Sequence, residues 1–159
     1  MGALHTACML GHSREVVEAL LDAGVPADVK VTSWLGQGLT PLVCTGFSGR
    51  VDLAEVLLER GADVNACVTG GPLFGGTALM LASLNGHAAV VARLLDAGAR
   101  VNARALDGRS AVLCAWDKGH AEVVAQLRDA GAESVGKARR RRALRMALAS
   151  PFALLAAVS

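Results

Sequence analysis

Apolar residues recur along this chain in two alternating textures. One is short and almost continuously apolar, as in Thr77-Ala78-Leu79-Met80-Leu81-Ala82; the other sets aliphatic pairs one helical turn apart, as in Val90, Val91, Leu94 and Leu95. The second spacing lines one face of a helix. The short blocks begin at Gly2, Thr40, Thr77 and Ser110, and each is followed after nine residues by a glycine, at Gly11, Gly49, Gly86 and Gly119. Twelve or thirteen residues further on stand Gly24, Gly61, Gly98 and Gly131. Each unit therefore reads as helix, turn, helix, stop.

The residues at the boundaries carry the physical reasons. Thr40, Thr77 and Ser110 can accept hydrogen bonds from the free amides of a first helical turn, and Pro41 stands where a missing amide costs nothing. The closing glycines can take the left-handed conformation that ends a helix.

Gly61-Ala62-Asp63-Val64-Asn65, its near copy Gly98-Ala99-Arg100-Val101-Asn102, the pairs Gly86-His87 and Gly119-His120, and the interval of 33 from Thr77 to Ser110 together resemble ankyrin repeats, a family whose unit is about 33 residues. The resemblance covers roughly residues 2–133. It implies an all-α, ankyrin-repeat-like helical solenoid with β-hairpin-like fingers between repeats. Four units are expected over 1–135 (about 1–36, 37–73, 74–106 and 107–135), followed by a basic and then apolar segment over 136–159. Only His5 occupies the family's histidine position; Val43, Met80 and Leu113 replace it elsewhere, which bears on the usual polar network between repeats rather than on the fold. The intervals from Gly2 to Thr40 and from Thr40 to Thr77, 38 and 37, lengthen the first two fingers, which carry Trp34 and Leu35, and Pro72, Leu73 and Phe74.

Composition sharpens this. Hydrophobic residues make up 53% and aromatics 3% of the 159 residues, so the core must be aliphatic and there is little platform for stacking bases. The net charge of +2 hides a division: Lys137, Arg139, Arg140, Arg141, Arg142 and Arg145 are 6 of the 16 basic residues, and without them the chain is acidic. Cys8, Cys44, Cys67 and Cys114 form no C-x-x-C pair and read as small hydrophobes of a reducing compartment, cytosol or nucleus. No basic start with an apolar run of a secretory leader is visible, and no uninterrupted apolar stretch reaches the roughly 20 residues of a membrane span. The C-terminal run Ser150-Pro151-Phe152 with its following aliphatics has the form of a first helix; it reads either as a capping segment or degenerate fifth unit, with Leu144 to Leu148 covering the end of the stack, or as a mobile tail.

Chemical motifs give way to the repeat. His12, His87 and His120 fill one slot of different units, too far apart to share a metal. Gly70 to Thr77 has the glycines of a phosphate loop but Gly76 where the lysine belongs. Met1-Gly2-Ala3-Leu4-His5-Thr6 fits a myristoylation pattern, yet Gly2 to Ala7 belong to a first helix. No nucleophile elbow, carboxylate pair or Cys–His dyad stands out, so no enzyme, cofactor or metal is expected. Instead the resemblance implies a protein-interaction module, expected to be monomeric, whose fingers and first-helix ends line a concave face. Carried over position by position, those sites are Met9 and Leu10, Phe47 and Ser48, Leu84 and Asn85, and Asp117 and Lys118, bordered by Trp34, Leu35 and Phe74. Trp116 replaces a small residue and is expected to pack against the C-terminal segment. Lys137, Arg139, Arg140, Arg141 and Arg142 form an import or polyanion patch in an alternative reading, and membership of a longer repeat array is a further one.

Overall fold

A computed structural model describes residues 2–33, 36–71 and 74–148. Its helices come in pairs: α1 (Ala3–Leu10) and α2 (Arg14–Asp22), α3 (Pro41–Ser48) and α4 (Val51–Glu59), α5 (Ala78–Asn85) and α6 (Ala88–Asp96), α7 (Ala111–Asp117) and α8 (Ala121–Asp129), then a single α9 (Val135–Leu148). The first helices α1, α3, α5 and α7 stack in one layer, with α9 added on α7, and the second helices α2, α4, α6 and α8 stack in another. This is an all-α repeat solenoid.

Stacking explains the two textures of the sequence. A first helix lies between two neighbours and its own partner, so it is apolar nearly all round: every residue from Ala78 to Ser83 is buried. A second helix has one wet side, and α6 buries Val90, Val91 and Leu94, packs Ala88 and Leu95 partly on the core, and leaves Ala89, Arg93 and Asp96 exposed. Leu4, Leu42, Leu79 and Val112, equivalent in the four units, are all buried, each contributing about 1.5–3 kcal/mol. Small residues let the layers close: a Cβ on Gly46 would lie 2.6 Å from the carbonyl oxygen of Ala78 in the next first helix.

The helix boundaries follow the expected chemistry with one exception. Thr40 and Thr77 accept from the amides of Val43 and Met80, and Gly49 and Gly86 close their helices with positive φ. Ser110 does not cap α7; its hydroxyl is buried without a hydrogen-bond partner among the described residues. Its backbone carbonyl still accepts from Cys114, so the helix starts without the side chain.

Polar contacts between units exist despite the lost histidines, but they use other residues. Arg50 donates to the carbonyl of Gly11, His87 Nε2 lies 3.1 Å from the carbonyl oxygen of Phe47, and His120 Nε2 lies 3.1 Å from that of Leu84. A second ladder runs through the closing loops: the carboxylate of Asp28 accepts from the amide of Asp63, the side-chain oxygen of Asn65 from Arg100, and that of Asn102 from Glu133. Buried His5 adds a bond of 2.8 Å to the carbonyl of Leu39.

The fingers project from the loops. In the first, β1 (Val31–Ser33) and β2 (Gly36–Leu39) pair antiparallel with Val31 opposite Leu39 and an irregularity before Thr32. Thr69 donates to Gln37 and Leu106 to Phe74, which links successive fingers side by side.

The C-terminal segment differs from expectation. Residues 149–159, and with them the degenerate fifth unit, lie outside the described residues. Ser134 stands just before α9, its hydroxyl accepting from the amide of Lys137, and the helix buries Ala138 alone. Leu144, Met146 and Leu148, expected to cover the stack, are 62%, 56% and 67% exposed. The arginines explain this: Ala138 is small enough to sit close to α7, whereas Arg141 and Arg142 turn to acids at the rim and leave the later apolar residues beyond it.

Candidate interaction surface

The finger side of units three and four encloses a cavity of about 300 Å³. Its floor is made by α5 and α7, through Met80, Leu81, Leu84 and Cys114, and its walls by the second and third fingers, through Phe74, Gly76 and the loop from Ala105 to Arg109. Met80, where the family's histidine would stand, turns that position apolar. Phe74 and Leu106 stand at the mouth; both are exposed, Leu106 by 58%. Their backbones meet, Leu106 N–H to the carbonyl of Phe74 at 3.1 Å, which fixes the width of the opening.

The third finger is a tight turn. Ala105 donates to Arg109 and Gly108 to Ala105, with Gly108 at φ +79°. Asp107 accepts from the Arg109 backbone and from its guanidinium. Burial alone would raise the Asp107 pKa, but these bonds hold it below its ordinary value, so it stays ionised beside the cavity.

On the other side of the same turn lies a cluster of arginines. Arg104 donates to the carbonyl of Gly108 and is ion-paired with Glu133; Arg141 Nη1 of α9 lies 3.8 Å from the same carboxylate. Arg142 passes over Gly108 and reaches Asp117 at 3.5 Å. Burial lowers the Arg104 pKa, and the charges of Arg141 and Arg145 lower it further.

The residues expected to contact a partner are only partly gathered here. Phe74 and Leu84 line the cavity. Phe47 and Leu10 are exposed at the ends of α3 and α1, while Met9 is half-buried and packs on the core. Ser48 keeps a buried hydroxyl without a partner among the described residues, and Asn85 returns its amide to the carbonyl of Leu81 in its own helix. Lys118 is exposed, and Asp117 is engaged by Arg142. Trp34 and Leu35 lie outside the described residues, as do Pro72 and Leu73. Trp116 is exposed and lines a second recess with Ala121, Val124, Ala125 and Arg128 of α8, not with α9. Of the basic run, Arg141 and Arg142 have acidic neighbours, whereas Lys137, Arg139 and Arg140 are exposed and form no ion pair among the described residues.

Leu106, Asp107 and Arg109 were not among the expected contacts. Their signal is register: Leu106 and Asp107 precede Ser110 by the offsets at which Leu73 and Phe74 precede Thr77. The third finger has the standard length, so no insertion marks it in the sequence.

Buried thiols offer no reactivity here, since burial raises Cys8 and Cys44 to about 12 and Cys114 to about 11. No group of three or more His, Cys, Asp or Glu among the described residues is placed to hold a metal ion. No helix among them is long and apolar enough to cross a membrane.

A family model described as ankyrin repeats (3 copies) matches residues 1–68 and again 66–137. The chain is also similar to the ankyrin repeat and KH domain-containing protein mask of Drosophila melanogaster and to ankyrin repeat and KH domain-containing protein 1 of Homo sapiens. Each is 39% identical to it over 85 residues, 54% of this chain. The chain covers 2% of the fly protein's length and 3% of the human one's.

Proposed function

The chain belongs to the ankyrin repeat family, whose members generally mediate protein–protein interaction and are typically non-enzymatic, and on that premise we propose that it grips a segment of a partner protein at the finger side of units three and four. One observation carries the reading: an apolar recess of about 300 Å³ flanked by two exposed hydrophobic side chains, Phe74 and Leu106, on fingers tied together by their backbones. An anchor residue entering this open recess leaves water where it meets the apolar floor and walls, and well-packed, desolvated anchors are the side chains that dominate binding energy. The polar rim of Asp107 and Arg109 then orients the incoming backbone. Phe47 and Leu10 extend the apolar positions toward the first units. Free thiols at all four cysteines support work in a reducing compartment, cytosol or nucleus.

The test is capture of partners by the intact chain, compared with a variant carrying Phe74→Ala and Leu106→Ala. Both side chains are exposed, so helicity and melting should be unchanged while captured proteins are lost. Equal capture by the variant would remove this surface as the grip.

A further inference from the structure

Resting on that reading, we propose that the segment held here is an acidic peptide: a large apolar side chain fills the cavity at Phe74, Leu84 and Leu106, and neighbouring carboxylates pair with Arg104, Arg141 and Arg145 across the third finger. The two halves of the site share one loop. Residues 105–107 and 109 wall the cavity, while Arg104 and the carbonyl of Gly108 face α9. A chain crossing this narrow turn passes from an apolar recess to a group of cations.

Charge around the turn is not balanced. Among the described residues, Arg104, Arg109, Arg141 and Arg142 pair with three acids, Asp107, Asp117 and Glu133, and Arg145 forms no ion pair. Asp107 is committed to Arg109 and Asp117 to Arg142, which leaves Glu133 to answer both Arg104 and Arg141 while Arg145 adds its field. Glu133 is nearly buried, with its side chain 10% exposed, whereas that of Arg141 is 59% exposed and free to turn outward. Guanidinium groups hold carboxylates in paired, in-plane hydrogen bonds, so one or two incoming carboxylates would relieve the excess. Arg141 and Arg145 lie close enough to Arg104 for their charges to act on it, adding to the effect of its burial.

The same features disfavour nucleic acid. A phosphate backbone brings closely spaced charges past Asp107, Asp117 and Glu133 as well as past the arginines, and Phe74 is the sole aromatic lining the cavity among the described residues. A peptide can place its acids selectively.

The experiment selects random peptides displayed on phage against the intact chain, then measures synthetic versions of the enriched sequences by fluorescence anisotropy. Enriched peptides should carry a net negative charge around one large apolar residue. Arg141→Gln with Arg145→Gln should weaken them about tenfold or more, with far-UV circular dichroism unchanged because both sites are exposed. Changing the peptide's acids to amides should weaken binding to the native chain equally, and to the arginine variant hardly at all. Neutral or basic enriched peptides that still depend on Leu106 would overturn the acidic-partner inference and leave the cavity as the grip. Peptides indifferent to Phe74→Ala and Leu106→Ala, or no enrichment, would overturn both. An oligothymidylate binding more tightly than the acidic peptides, with the same arginine dependence, would overturn it in favour of nucleic acid.

Discussion

His120 Nε2 lies 3.1 Å from the carbonyl oxygen of Leu84, so a side chain in the turn of the fourth unit closes a first helix of the third. The carbonyl accepts, which places the ring proton on Nε2. His87 and the carbonyl of Phe47 repeat the relationship one unit earlier, and Arg50 with Gly11 one unit before that.

His120→Ala should therefore destabilise the chain by about 1 kcal/mol, the usual net worth of such a bond. His12→Ala, at the equivalent but exposed position of the first unit, should change stability by less than about 0.5 kcal/mol. Urea denaturation of both variants provides the comparison, and equal losses would remove the ladder as a source of stability.

Gly46→Ala should cost about 1–3 kcal/mol, because its new Cβ would lie 2.6 Å from the Ala78 carbonyl oxygen and 3.3 Å from the Ala82 nitrogen, both backbone. Gly136→Ala in α9 should instead stabilise by about 0.4–1 kcal/mol, since nothing lies within 4 Å of the added atom. Thermal melts of the two variants should shift in opposite directions.

His5 supplies a pH dependence whose sign is fixed. Burial lowers its pKa below 6.5, against the raising effect of its bond to Leu39, so below pH 6.5 the unfolded chain takes up this proton before the folded one does. Its stabilising contribution is complete above that pH and declines as pH falls through it, levelling once the folded ring is protonated too. Unfolding curves of the native chain and His5→Gln at neutral pH and at about pH 5 should show a smaller acid loss in the variant.

The architecture was legible because each boundary rests on local chemistry. Thr77 caps, Gly86 turns and the aliphatic pair Val90 and Val91 faces inward for reasons contained within a few residues. What escaped depended on neighbours a repeat away. Nothing next to Arg50 in the sequence indicates that it does a histidine's work on Gly11, and Ser110 looks like Thr77 although its hydroxyl finds no amide. The interaction surface was half legible for the same reason. Phe74 and Leu84 could be named from their offsets, but that they share a recess with Leu106 follows only from the bond between two fingers. The aliphatics of α9 misled because apolar spacing predicts a buried stripe, while Ala138 and two rim ion pairs decide how far the helix overlaps its neighbour.

Arg50, His87 and His120 all reach backward along the chain. Such a stack has polarity, as a ratchet does. Detaching its last unit would strip a bare carbonyl from the unit before, a group water satisfies readily. Detaching its first would take the Gly11 carbonyl from Arg50 and leave that side chain held by Asp52 of its own unit, so the two ends present different groups when trimmed.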